Sequence, residues 1–175
     1  AATLKGLSRE RVGMETMNLL GLADPAPTLQ RMADLGVLEV ILPEADPRAA
    51  VRLVAFEQAQ GIAPDALRRL AALLPAQVPL AEQVASRFRL SGAQKKRLAT
   101  AAARDGVPGD ARALAYRLGR EAALDRLLLA GSDPSALRDW EIPAFPLKGG
   151  QIVARGVGAG PEVADARRQA QLVLA

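Results

Sequence analysis

Asp34-Leu-Gly-Val-Leu-Glu-Val-Ile-Leu-Pro-Glu44, with the segment that leads into it from Ser8, decides how this chain folds. Leu35, Val37, Leu38, Val40, Ile41 and Leu42 form an apolar run, well short of the roughly 18 residues a spanning helix needs. The run stops at Pro43, because proline lacks a backbone donor and disfavours the helical region for the residue before it. By pattern alone it is a short helical piece buried in a core.

Helices extend outward from this stretch on both sides. Ser8 is an N-cap, since its hydroxyl can accept from a first-turn N–H. The helix it opens runs to about Leu22, with Val12, Thr16, Leu19 and Leu20 on one face. Asp24-Pro25 opens a second helix carrying Leu29, Met32, Ala33 and Leu35, which Gly36 ends. Asp46-Pro47 opens a third to about Gln60, with Ala50, Leu53, Val54 and Phe56, and Pro64-Asp65 a fourth, with Leu67, Leu70, Leu73 and Leu74. Pro75 and Pro79 bracket a linker before a helix over 80–90, and Ser91 caps the next. Asp110 caps a helix reaching about Ala130, apolar on more than one side and therefore expected to be central. A short helix ends near Trp140, and Pro161 begins a terminal one after a segment rich in Pro and Gly. The expected fold is all-α, a multi-helix array of eight or nine helices with an irregular C-terminal segment.

Composition agrees and removes several chemistries. Half of the 175 residues are hydrophobic, and only Phe56, Phe88, Tyr116, Trp140 and Phe145 are aromatic. Absence of Cys rules out disulfides and thiol catalysis. Absence of His rules out imidazole bases and Ser-His-Asp triads. With no signal peptide pattern and no spanning run, a cytoplasmic protein without membrane contact is expected.

The net charge of +4 is unevenly placed. Residues 86–126 hold 10 basic and 4 acidic side chains, whereas residues 1–85 hold 8 and 10. A basic middle third suits a polyanion, and a solvated Arg-rich helix surface is the plain alternative.

The residues Leu7-Ser-Arg-Glu-Arg-Val12, Glu15 and the 34–44 stretch resemble the neck of class II tRNA nucleotidyltransferases (CCA-adding enzymes) and bacterial poly(A) polymerases. That neck reads Ser-x-Glu-Arg-(Ile/Val)-x-x-Glu, then Leu-Leu, then a Gly-(Val/Leu)-Leu-x-x-(Val/Ile)-Leu-Pro run. Pro146-Leu-Lys-Gly-Gly-Gln-Ile-Val-Ala-Arg-Gly156 through Pro161-Glu-Val is similar to the family's tail, with Gln151 where Asp is usual and Ala164 where Gly is usual. The resemblance implies a neck over 1–62 and a helical body and tail over 63–175. It implies a parent enzyme that adds nucleotides to RNA 3′ ends, using ATP or CTP and ATP with Mg²⁺. The Asp-x-Asp motif and the nucleotide-selecting motif of the catalytic head have no counterpart in this sequence. The chain is therefore expected to be a C-terminal part without cofactors of its own, partnered by that head and by tRNA or other RNA. A stand-alone helical scaffold or protein-interaction module is the alternative.

Candidate site residues follow from both lines. Asp24, Asp34, Glu44 and Asp46 are the nearest carboxylate grouping, but each suits a cap or an exposed helix position better than two-metal chemistry. Gly149-Gly150 and the 156–160 loop lack the spacing of a phosphate loop and read as turns. Arg11 and Glu15 match the neck motif, which implies support of the nucleotide pocket; Asn18 stands where a Lys or Arg is common. RNA-phosphate contacts are expected from Arg87, Arg89, Lys95, Lys96, Arg97, Arg112, Arg120, Arg126 and Lys148. Arg112, Arg120 and Arg126 would share about a third of the circumference of one continuous helix. Scarcity of aromatic platforms favours duplex RNA held by shape and charge over gripped single-stranded bases.

Overall fold

The structure, a computed structural model, describes residues 8–104, 109–143 and 161. Among the described residues it is all α, with no strand. Its helices are α1 (Arg9–Leu20), α2 (Ala26–Asp34), α3 (Val37–Ile41), α4 (Pro47–Ala59), α5 (Ala66–Leu73), α6 (Val78–Arg87), α7 (Gly92–Ala102), α8 (Ala111–Leu118) and α9 (Arg120–Leu129). A 3₁₀ turn follows at Ser135–Leu137. None of these helices is long and apolar enough to cross a membrane.

Caps set most of the boundaries. Ser8, Asp46, Asp65, Ser91 and Asp110 each accept a backbone N–H of the first turn with the side chain, a contact worth about 1 kcal/mol. Ser91 and Gln94 complete a reciprocal capping box at the start of α7. Asp24 accepts from Ala26 N at 3.1 Å and Asp34 from Gln30 Nε2 at 2.9 Å, so these carboxylates serve local structure.

The main core gathers Leu20, Leu29, Leu38, Leu42, Leu53, Leu70, Leu73, Val84, Phe88, Leu98 and Leu128, and so draws on both sides of position 62. Truncating one such leucine to alanine typically costs about 2–5 kcal/mol. A smaller cluster, Leu114, Ala115, Ala123, Leu127 and Leu137 with Trp140 against it, joins α8 and α9 to the 3₁₀ turn.

Four expectations need correction. The central helix is α5, whose residues Leu67 to Leu73 are all buried and which packs against α1, α4, α7 and α9. The helix expected from Asp110 to Ala130 is two helices, because Gly119 sits at φ 85°, ψ 155°. That region is accessible essentially to glycine alone. Leu35, counted in the apolar set of α2, ends that helix and is 67% exposed. Pro79 lies within the first turn of α6 rather than in a linker, as its missing N–H permits.

Helix α5 also carries two buried arginines. Arg68 and Arg69 are 3% and 1% exposed, and both donate to Glu57 of α4, itself fully buried, through Nε at 2.6 Å and 2.7 Å. Arg69 Nη1 also reaches the Leu20 carbonyl at 2.8 Å and the Leu22 carbonyl, closing the C-terminal end of α1. Arg68 Nη1 lies 3.4 Å from Asp125 of α9. Arg97 of α7 donates to Asp125 at 2.7 Å and 2.9 Å, to Asp65 at 2.8 Å, and pairs with Glu121 at 3.0 Å. Removing one partner from such a cluster strands a buried charge, at about 3–5 kcal/mol.

One close approach sets how α1 seats. A Cβ on Gly13 would lie 2.6 Å from the Phe88 carbonyl oxygen and 2.8 Å from its Cα. Glycine therefore lets α1 rest directly on the backbone where α6 ends. Alanine in a helix interior normally gains about 0.5–1 kcal/mol over glycine. Here Gly13→Ala is expected to lose about 1–3 kcal/mol instead, read as a lower urea midpoint; an equal or higher midpoint would show that α1 is not seated on Phe88.

Acid should loosen the ionic cluster. Burial alone would raise the Asp65 carboxyl, but the Arg68 backbone N–H and then the Arg97 guanidinium outweigh it and hold its pKa below the ordinary value. Glu44 is lowered by its hydrogen bonds from Arg87, against a smaller opposing effect of burial. Folded values below unfolded ones give stability that is present above the ordinary carboxylate range, near pH 4, and lost as pH falls through it. Urea midpoints should be flat from neutral pH to about 5 and drop below about 4. Asp65→Asn, which keeps a capping side chain, should lower the neutral-pH midpoint and make the acid limb shallower; an unchanged acid limb would contradict this.

Candidate nucleic-acid interface

Seating α1 on Phe88 brings its N-terminal turn over the junction between α6 and α7. Arg9 stands four residues before Gly13, on the same helix face. A cleft of about 690 Å³ opens there, lined by Arg9, Pro79, Glu82, Gln83, Ser86, Arg87, Arg89 and Lys95. A second cleft of about 560 Å³ shares Glu82 and Lys95 with the first and adds Lys96, Thr100, Leu118 and Arg126. The two adjoin across Glu82 and Lys95, and together make up the groove along α6 and α7. Among the described residues that line it six are cationic and only Glu82 is acidic.

The cations are fixed by different means. Arg87 is clamped bidentately by Glu44 at 3.1 Å and 2.7 Å, and its guanidinium lies 6.0 Å from the Phe88 ring centre. Glu44 closes the 34–44 stretch, so this clamp ties that segment to the groove wall. Lys95 Nζ is 3.4 Å from Ser86 Oγ, which in turn donates to the Glu82 carbonyl at 2.8 Å. Arg126 anchors its Nε on the Thr100 carbonyl at 3.0 Å. Arg9, Arg89, Lys95 and Lys96 form no ion pair with a described residue. Unpaired cations lining a concave wall concentrate positive potential and attract a polyanion.

The structure thus brings together Arg87, Arg89, Lys95, Lys96 and Arg126 of the residues expected to contact RNA. Arg97, one position beyond Lys96, turns inward to Asp65, Glu121 and Asp125. Burial would lower its pKa, but Asp125 and then Asp65 overcome that and raise it. Arg112 donates to the Ala136 carbonyl at 3.3 Å and lies over Trp140, while Arg120 donates to the carbonyls of Arg138, at 2.7 Å, and Trp140. Both brace the 3₁₀ turn, away from the groove. Because α8 and α9 are separate helices, the shared face computed for Arg112, Arg120 and Arg126 does not exist. Lys148 and the tail motif around it lie outside the described residues, apart from Pro161.

Arg11 and Glu15 stand exposed on the solvent side of α1 beside Met14 and Asn18, with no ion pair joining them. The groove residue that sequence reasoning missed is Arg9. It lies inside the motif region, but nothing local marks it; its place follows from Gly13. Among the described residues no aromatic side chain lines the groove, since Phe88 points into the core at 3% exposure. Such a wall can hold phosphates but offers no platform for stacked bases.

Comparison with curated proteins found no match. Residues 1–48, which span α1 to α3 and end just past Glu44, match the family model described as the probable RNA and SrmB-binding site of polymerase A. In that stretch the chain is similar to the RNA-binding region of polymerase A, consistent with the C-terminal part of a poly(A) polymerase or CCA-adding enzyme.

Proposed function

We propose that this chain docks RNA for an enzyme that adds nucleotides to RNA 3′ ends, with the groove between α1, α6 and α7 tracking the phosphate backbone. The observation that carries the reading is that α1, inside the stretch similar to a known RNA-binding region, places Arg9 in a cleft shared with Arg87, Arg89 and Lys95, of which only Arg87 is held by a described carboxylate. Phosphate contacts position an RNA without reading its sequence, and a groove with no stacking platform among the described residues favours duplex over single-stranded RNA. A tRNA acceptor region is the RNA this reading favours.

Within the same reading, a catalytic head outside this sequence supplies Mg²⁺ and ATP, or CTP and ATP, and the exposed Arg11 and Glu15 support its nucleotide pocket. The four carboxylates nearest one another in the sequence serve other roles: Asp24 accepts from Ala26 N ahead of α2, Asp46 caps α4, Asp34 holds Gln30, and Glu44 clamps Arg87. In this reading nucleotide transfer, which needs two acids converging on metal ions, is left to the head. A second reading, protein docking, is favoured by the exposure of Met14, Leu22 and Leu35, at 54%, 54% and 67%. The description of the matched family names SrmB beside RNA.

Titration of the chain with tRNA, a short RNA duplex and a random single strand, each at two salt concentrations, separates the two. Four or five engaged cations predict a log–log salt slope of about −3 to −4, with tRNA and duplex bound more tightly than the single strand. Lys95→Glu with Lys96→Glu should weaken binding at least about tenfold by replacing attraction with repulsion. Absence of binding to all three RNAs at low salt would leave protein docking as the function.

A further inference from the structure

Arg89 has a backbone conformation that its residue type does not favour. Among the described residues five sit at positive φ, and four of them are glycines: Gly36, Gly61, Gly119 and Gly131. The fifth is Arg89, at φ 56°. It follows Phe88, the C-cap of α6, in a two-bond helix stop: Leu90 N donates to the Ala85 carbonyl at 2.9 Å and Arg89 N to the Ser86 carbonyl at 3.2 Å. Glycine is the usual residue at this place because a Cβ in the left-handed region crowds the following carbonyl.

The surroundings force that conformation. Phe88 is 3% exposed in the main core, Leu90 packs against the same core, and α1 presses on the Phe88 backbone through Gly13. The backbone therefore cannot relax at residue 89, yet the side chain is not needed there for the fold. Its neighbours Arg87 and Lys95 hold Glu44 and Ser86. Arg89 is exposed in the groove and its side chain makes no hydrogen bond or ion pair with a described residue.

We infer that Arg89 is a phosphate-contacting residue kept at a glycine position, where the fixed turn aims its cation into the groove between Arg9 and Lys95 at the expense of stability. The inference rests on the groove being the RNA-binding surface and deepens that reading. It predicts that stability and RNA affinity change in opposite directions at this one position.

The test compares Arg89→Gly, Arg89→Lys and the Lys95→Glu/Lys96→Glu pair in the full chain, by thermal denaturation and by titration with a short RNA duplex across salt concentrations. Arg89→Gly should raise Tm by about 2–4 °C. Its RNA affinity should fall several-fold, with a log–log salt slope shallower by about 0.7–0.9, as for one lost phosphate contact. Arg89→Lys should keep both the Tm and the slope. An Arg89→Gly variant that binds with the unaltered slope, or that melts no higher than the parent, overturns the inference. If Arg89→Gly leaves binding unchanged while the lysine reversals weaken it, this inference alone fails. If the reversals also change nothing, or the parent binds no RNA, the groove reading and this inference fail together.

Discussion

The pairing of Arg68 and Arg69 with Glu57 is the constraint on which the rest of the structure depends. Adjacent residues of one helix share a single fully buried carboxylate, and each takes one of its oxygens. Two guanidinium groups on one carboxylate leave a positive excess, which Asp125 offsets from α9 and the carbonyls at the end of α1 help to solvate. Arg97 continues the chain of charges to Asp65, the N-cap of α5. Buried ions are a poor source of net stability but are costly to leave incomplete. A cluster of this kind therefore favours one arrangement of α1, α4, α5, α7 and α9 and penalises the rest. Apolar packing of leucines, which is less directional, supplies the bulk of the stabilisation around it.

The groove inherits its shape from that arrangement. Arg69 closes the C-terminal end of α1, while Gly13 admits the Phe88 backbone on the side of the same helix. Arg97 draws α7 toward α9, which leaves Lys95 and Lys96 on the outer wall. Glu44 clamps Arg87 from the other direction. Cations that a phosphate backbone could meet are thus carried on helices whose relative positions are set from the interior. Pre-placed charges bind with less ordering of side chains than mobile ones would need.

Much of this was legible in the sequence, for identifiable reasons. Ser8, Asp46, Asp65, Ser91 and Asp110 announced helix starts because a short polar side chain before an apolar repeat has one efficient use. The apolar faces of α1 and α4 followed from helical spacing. What stayed hidden depended on tertiary partners. Arg68 and Arg69 look like surface residues until Glu57 and Asp125 are brought beside them. Gly119 reads as a tolerated glycine inside a long helix, and only its φ and ψ show that it separates two. The excess of positive charge in the middle third is plain in the sequence, yet charge counting cannot tell Lys96, facing the groove, from Arg97, facing three carboxylates. Arg9 lay in a recognised motif and still escaped notice, because its role comes from a contact made by Gly13.

Hydrogen exchange of the full chain, with and without a short RNA duplex, tests the central claim most directly. The account predicts added protection at the first turn of α1 and across the α6–α7 junction, residues 86–96, with the start of α8 and the 3₁₀ turn unchanged. Protection centred on Arg112, Arg120 and Trp140, with none at the α6–α7 junction, would contradict it.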